Sequence, residues 1–187
     1  LPLAGRPMLD YLIDRIEAVD EIDEIHVVTN ARFAGDFGRW AGQRSGVRRV
    51  TVWNDGTTSN EDRLGAIGDI RFTIDEAGLD GTDLLVVAGD NVIEYSLADF
   101  VRFWREKGDG AAIAVHRVFD RELIKQYGVV ELDEDDRVAS LEEKPSEPRS
   151  DLAATAAYLY PAEHAALIGP YLDEGNPPDA PGNFVVW

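Results

Sequence analysis

Asp90 is the first residue in this 187-residue chain whose placement could serve chemistry. It follows the apolar run Leu84-Leu85-Val86-Val87-Ala88 and sits within Gly89-Asp90-Asn91, a turn signature. Such a run reads as a strand buried on both faces. The C-terminal ends of strands like this are where open α/β sheets place ligands. The ordinary duty of an Asp after a strand is to cap the next helix. Here that helix has its own start, Ser96-Leu97-Ala98-Asp99, with the stripe Leu97, Phe100, Val101, Trp104 behind it. Asp90 lies six residues ahead of Ser96, which leaves its carboxylate available as a metal or substrate ligand. A second candidate is the polar stretch Asn54-Asp55-Gly56-Thr57-Thr58-Ser59-Asn60, which can hydrogen-bond a base or a phosphate or serve as a plain connector.

Alternating elements are needed to present these groups. Pro2 to Pro7 forms a loop turning at Ala4-Gly5. A helix starts at Pro7, with Met8, Leu9, Leu12, Ile13, Ile16 and Val19 on one face and Asp10, Asp14 and Glu17 on the other. A strand at 25–29 contains His26, to which no role is given. A helix at 31–43 and a strand at 47–53 follow, with Arg48 and Arg49 facing solvent. The helix over 61–78 stops at Gly78, and Gly65 and Gly68 on it imply close approach to another backbone. After the Ser96 helix come a strand at 111–118, a charged connector, and a hairpin whose arms are 127–132 and 138–141. A strand at 153–160, a helix from Pro161 and a Pro/Gly-rich loop at 176–182 complete the order. This alternation predicts an α/β fold. It is a mostly parallel, mixed, Rossmann-like three-layer sheet with an added antiparallel hairpin, in one domain over 1–187.

Composition narrows the function classes. A net charge of −18 argues against nucleic-acid binding, and no apolar run reaches membrane-spanning length. The absence of cysteine excludes thiol catalysis, and three scattered histidines disfavour a zinc site. Basic groups are mostly Arg, with only Lys107, Lys125 and Lys144. An acid-rich, lysine-poor surface suits a salt-rich cytoplasm, where screening removes self-repulsion; an ordinary acidic bacterial protein is the alternative. No signal-peptide order is present. Leu1 is not an initiator Met, and Phe184-Val185-Val186-Trp187 would be an exposed apolar tail, so more chain is expected at both ends.

Four segments in register resemble the sugar-1-phosphate nucleotidylyltransferases, such as glucose-1-phosphate thymidylyltransferase. They are Leu1-Pro2-Leu3-Ala4-Gly5-Arg6-Pro7-Met8-Leu9, Ala88-Gly89-Asp90-Asn91, Tyr127-Gly128-Val129-Val130-Glu131 with Leu141-Glu142-Glu143-Lys144-Pro145, and 152–160. The resemblance implies transfer of a nucleoside monophosphate from a nucleoside triphosphate to a sugar-1-phosphate, releasing pyrophosphate. That chemistry needs two polyanions held in line with their charge neutralised. It implies Asp90 as the Mg²⁺ ligand and Lys144 on the sugar phosphate. It also implies Glu143 on a sugar hydroxyl, Gly128 admitting the sugar to the backbone, and Asn54 near the base. Gly89 and Thr155 complete the implied substrate-binding set. The partners implied are the two small molecules, with a homo-oligomer as an option. Pro145 is expected to hold Lys144 extended. Strand alternation would put Glu142 and Lys144 on one face and Glu143 on the other, so Glu142 competes for the site.

The chain also departs from the family. The glycine-rich triphosphate loop would lie upstream of Leu1 and a second metal-binding Asp beyond Trp187, so this piece alone is expected not to turn over. Relatives usually carry Thr-Gly-x-Tyr where this chain has Thr155-Ala156-Ala157-Tyr158, which implies a narrower sugar pocket. The Asn54 segment resembles that of cytidylyltransferases, which leaves the base open and admits a cytidylyltransferase acting on a non-sugar phosphate. A non-catalytic nucleotide-sugar-binding relative is a further alternative. An unrelated glycosyltransferase-like domain is disfavoured, because it would want an acidic residue two positions from Asp90, where Ala88 and Val92 stand.

Overall fold

The computed structural model describes residues 2–108 and 110–187. In chain order the elements are β1 (Pro2–Leu3), β2 (Arg6–Pro7), α1 (Met8–Glu17), β3 (Ile25–Thr29), α2 (Ala34–Gln43), β4 (Val50–Asn54), α3 (Ala66–Ala77), β5 (Leu84–Val87), α4 (Leu97–Lys107), β6 (Ala112–Arg117), a 3₁₀ turn (Ile124–Gln126), β7 (Gly128–Leu132), β8 (Val138–Glu143), β9 (Leu152–Tyr160), α5 (Ala162–Ala165), α6 (Ile168–Asp173) and α7 (Pro181–Val186). They fall into two compact units. The first holds Leu1–Leu79 and Gly89–Gly108, the second Asp80–Ala88 and Asp109–Trp187.

In the first unit, β1 and β2 form a hairpin closed by Ala4 (φ 47°) and Gly5 (φ 87°). Two successive positive φ values are what a right-twisted two-residue hairpin demands. β3 and β4 pair in parallel from Ile25 opposite Val50 to Thr29 opposite Asn54. Leu12, Ile13 and Val19 of the α1 region, Ile67 and Ile74 of α3, and Leu97, Val101 and Trp104 of α4 are buried, which matches the helical spacing of these apolar residues. The expected start of α4 holds: the Asp99 N–H donates to Ser96 Oγ at 3.1 Å. Gly78 ends α3 in the left-handed conformation. α3 begins later than the expected position 61, at Ala66 after Gly65 (φ 81°); Gly68 brings its backbone close to the Leu64 side chain. His26 is a strand residue whose Nδ1 accepts from the Trp53 indole at 2.9 Å.

Arg48 corrects the expectation that it faces solvent. Val47 is 88% exposed and the strand starts only at Val50, so the loop is free to turn Arg48 inward. Its guanidinium donates to the carbonyls of Glu17 (2.7 Å), Val19 (2.8 Å), Asp20 (3.3 Å) and Ile22. The last carbonyl of α1 and three carbonyls of the loop after it thus gain a cation, which also suits the helix dipole. Arg49 is exposed, as expected.

The second unit is a five-stranded antiparallel sheet in which β9 pairs with β5, β6 and β7, and β8 pairs with β7. Among the described residues, parallel pairing is confined to β3 and β4, so the antiparallel share exceeds the expected late hairpin. An apolar run signals a strand but not its neighbour's direction. β5 runs beside β9, Leu84 opposite Tyr160, and its four residues are half-buried instead of enclosed on both faces. β9 carries a bulge: Ile113 opposes Tyr158 while Val115 opposes Ala154. Inside it Ala156 has φ 51°, its carbonyl accepts the Ala88 N–H at 3.0 Å, and Thr155 Oγ1 donates to the Ala114 carbonyl at 2.9 Å.

The expected exposed apolar tail is folded in part, with Val186 (60%) and Trp187 (47%) still exposed. Pro181–Val186 is helical, and buried Phe184 packs on Tyr160 and Tyr171 with ring centroids 5.5 and 5.4 Å away. An aromatic can bury itself as part of a short helix as readily as in a longer element, which the apolar run alone does not reveal.

Arg48→Ala is expected to lower stability by about 2–3 kcal/mol, since hydrogen bonds to a charged donor are worth roughly 1.5–3 kcal/mol and do not add fully. Urea unfolding should show a lower midpoint with an unchanged slope. Ala156→Gly is expected to leave stability unchanged or raise it by up to about 1 kcal/mol. Relief of a left-handed alanine, roughly 1–2 kcal/mol, offsets the roughly 0.5–1 kcal/mol that glycine costs in a strand. A clear fall in the unfolding midpoint would contradict the strain reading.

Candidate functional site

Asn54, Gly89 and Asp90 belong to the first unit, and Gly128, Glu143, Lys144 and Thr155 to the second. Each set is built by its own local structure.

In the first unit, Asn54 closes β4 and is exposed; its Oδ1 accepts the Gly56 N–H at 3.0 Å. The polar stretch after it is ordered by two carboxylates. Asp55 accepts from the Thr57 N–H (2.7 Å) and hydroxyl (2.8 Å). Asp62 accepts from the N–H and hydroxyl groups of both Thr58 and Ser59, with Ser59 N–H at 2.8 Å and Thr58 N–H at 3.0 Å. The Thr57 carbonyl in turn accepts the Ala31 N–H at 2.9 Å. A connector of this length could be loose; this one is tied at both ends. The sequence reading singled out the seven polar residues and missed Asp62, whose position a few residues past a Thr-Ser pair was the available signal.

Asp90 is exposed and has no hydrogen bond or ion pair with any described residue. It does not cap α4, which Ser96 does. Its carboxylate is a hard oxygen donor free to take a cation. Among the described residues no three His, Cys, Asp or Glu side chains cluster to hold a metal. A single carboxylate fits Mg²⁺, which typically takes one or two carboxylates and completes its shell with phosphates and water. Gly89 approaches the Leu9 side chain, with a Cβ there falling 3.8 Å from Leu9 Cδ1.

In the second unit, β7 and β8 set Gly128 directly opposite Glu143 and Val129 opposite Glu142. A Cβ on Gly128 would fall 3.3 Å from Glu143 Oε1, so the missing side chain is what lets the carboxylate lie over the strand. Leu141 and Glu143 share a face, both reaching Gly182 of α7, where an added Cβ would fall 2.9 Å from Glu143 Oε1. Glu142 lines a different cleft, with Val118 and Phe119. The alternation that left Glu142 and Glu143 in competition therefore separates them, with Glu143 on the Gly128 side.

Lys144 is not extended, contrary to the expectation from Pro145. It has φ 49° and its N–H donates to the Tyr127 carbonyl at 3.0 Å. The left-handed turn ends β8 and breaks the two-residue alternation, so register no longer obliges Lys144 to share Glu142's face. A lysine at positive φ is uncommon and is held by its surroundings. Tyr158, which the sequence marked only as the end of the Thr155–Tyr158 segment, joins this set: burial, with the Glu143 charge beside it, raises the pKa of its phenol, and its ring stacks on Tyr160 at 5.8 Å. The alternation of β9, which puts Tyr158 and Tyr160 on one face, was the signal for it. The Thr155 hydroxyl is engaged in holding the bulge.

The Asp62 carboxyl is held at about 2, well below its ordinary 3.8, chiefly by the Ser59 and then the Thr58 backbone N–H groups. Its contribution to loop order is therefore complete above pH 3.8 and is lost as pH falls through about 2. A carboxyl NMR titration of the folded protein should place Asp62 near 2, and Asp62→Asn should speed amide exchange at Thr58 and Ser59.

Residues 1–179 match the family described as nucleotidyl transferase. A glucose-1-phosphate thymidylyltransferase of Streptomyces griseus is 30% identical over 168 residues, covering 89% of this chain and 44% of that protein. A valienol-1-phosphate guanylyltransferase of Streptomyces hygroscopicus subsp. limoneus is 26% identical over 175 residues, covering 87% and 44%. The chain thus spans about half the length of the curated relatives it matches. A crystal structure of a Bacillus anthracis protein assigned as a glucose-1-phosphate thymidylyltransferase shares the fold, with TM-score 0.75 and 24% identity over 95% of this chain and 66% of that one. With a family match that runs almost from end to end, this chain belongs to the nucleotidyl transferase family.

Proposed function

We propose that the protein containing this chain transfers a nucleoside monophosphate from a nucleoside triphosphate to a sugar-1-phosphate, releasing pyrophosphate. The observation that carries the proposal is the Gly128–Glu143 pair: a carboxylate over a strand that lacks a side chain, followed at once by Lys144 in a left-handed turn. Such a pairing can accept hydrogen bonds from sugar hydroxyls while the ammonium meets the phosphate. The relatives act on several sugar-like 1-phosphates and on thymidylyl and guanylyl donors by name, which supports the class without choosing the base or the sugar.

In this reading Glu143 orients the sugar and Lys144 neutralises its phosphate. Gly128 admits the ring, and Asn54 with its ordered loop faces the base. Gly89 keeps the strand end open and Thr155 holds the bulge beside the sugar segment. Asp90 holds Mg²⁺, which would neutralise the triphosphate charge that accumulates as pyrophosphate leaves. The chain's acid-rich, lysine-poor surface supports a salt-rich cytoplasm as its setting.

The full-length protein, given each nucleoside triphosphate, a panel of sugar-1-phosphates and Mg²⁺, is expected to release pyrophosphate with one pairing preferred. Asp90→Asn should lower the rate by about 10²-fold or more, the scale of losing a transition-state charge stabiliser. Lys144→Ala should raise KM for the sugar-1-phosphate by roughly 10- to 100-fold, while Glu143→Gln should act on sugar preference. Full activity in Asp90→Asn would remove the metal role. Absence of pyrophosphate release with every pairing would overturn the enzymatic reading in favour of a nucleotide-sugar-binding protein.

A further inference from the structure

We infer that Gly182 of α7 is a positioning residue for the sugar site: its missing side chain sets the direction in which the Glu143 carboxylate points. The inference rests on the transferase reading of Glu143. No hydrogen bond or ion pair joins Glu143 to any described residue, so packing orients its carboxylate. Two glycines from different elements supply that packing. A Cβ on Gly128 would fall 3.3 Å from Oε1 and 3.5 Å from Cδ and Oε2, so the β7 backbone lies under the face of the carboxylate. A Cβ on Gly182 would fall 2.9 Å from Oε1, inside van der Waals contact, and closer still to Leu141 Cδ2. The α7 backbone therefore closes the Oε1 edge, and Oε2 is the oxygen left for a sugar hydroxyl.

Backbone conformation does not explain a glycine at this position. Gly182 lies inside α7 without a positive φ, and glycine weakens a helix. Space does explain it. Neither scaffold is free to retreat: buried Phe184 pins α7 against Tyr160 and Tyr171, and Leu141 pairs with fully buried Val130 in the sheet. The Glu143 carboxylate, by contrast, is the free end of an exposed side chain. It is the group that swings when a Cβ is added to Gly182. One methyl group on α7 would thus reach the sugar through Glu143, without touching the sugar itself.

A double-mutant cycle tests it, in steady-state kinetics of the full-length protein with its preferred sugar-1-phosphate and nucleoside triphosphate. Gly182→Ala should raise KM for the sugar-1-phosphate by roughly 10-fold, the scale of one hydrogen bond to a charged group, and leave KM for the triphosphate unchanged. In a Glu143→Ala background the same substitution should add nothing, because no carboxylate remains to be turned. A merely structural role would act in both backgrounds. Leu141→Ala removes the other overlap, so the comparison is repeated in that background if Gly182→Ala alone lowers the thermal unfolding midpoint. An unchanged KM in Gly182→Ala, or an equal rise with and without Glu143, would overturn the inference and leave the transferase reading intact. Absence of pyrophosphate release with every pairing would overturn that reading and the inference with it.

Discussion

The second unit depends on one irregularity, the bulge in β9. A nine-residue strand pairs with three others, and its register against β6 shifts between Ile113 and Val115. The extra residues are absorbed where Ala156 takes a left-handed conformation, Thr155 ties its hydroxyl to Ala114, and Ala88 closes the end of β5 on the Ala156 carbonyl. Beyond the bulge, Ala153 and Leu152 meet Val129 and Val130 of β7. The Gly128–Glu143 register belongs to the β7–β8 pairing, which has its own irregularity between Glu131 and Leu132. A bulge of this kind bends a strand without ending the sheet.

The acidic composition has a structural counterpart. With twice as many acids as bases, the chain places several of its arginines at junctions instead of spreading them over the surface. Arg48 gathers carbonyls after α1, Arg44 sits 2.6 Å from Asp10, and Arg117 grips Asp151 through both carboxylate oxygens. A planar guanidinium with several fixed donors suits each of these tasks better than an ammonium. The preference for Arg over Lys fits that use.

Much of this was legible in the sequence, and the exceptions have physical causes. The Ser96 start, the Gly78 stop, the Ala4-Gly5 turn and the apolar helix stripes are local signals, and each was met. The strand tip at Asp90 was legible because a better cap stood downstream. What was not legible depends on distant partners. Nothing near Leu84 says that its neighbour is Tyr160, or that the pairing is antiparallel. The Arg48 side chain finds carbonyls about thirty positions earlier. Lys144 was misread for a different reason: a residue before proline favours extended backbone, and tertiary contacts overrode that preference. Alternation places Glu142 and Glu143 on opposite faces, and the Gly128 partner that marks the Glu143 face lies on another strand.

The antiparallel pairing of β5 has a consequence for how the chain is made. Leu84 cannot find its partner until Tyr160 has been synthesised, yet the residues after β5 belong to the first unit. A ribosome therefore releases the helices and the parallel strand pair of the first unit while β5 still lacks its neighbour. The strand leading to Asp90 waits, apolar and unpaired, for the later half of the chain. Long-range pairings of this kind slow folding and leave strand edges open to the wrong partner in the interval. A truncation that spared every residue through β5 but removed β9 would therefore leave β5 without the strand it pairs with.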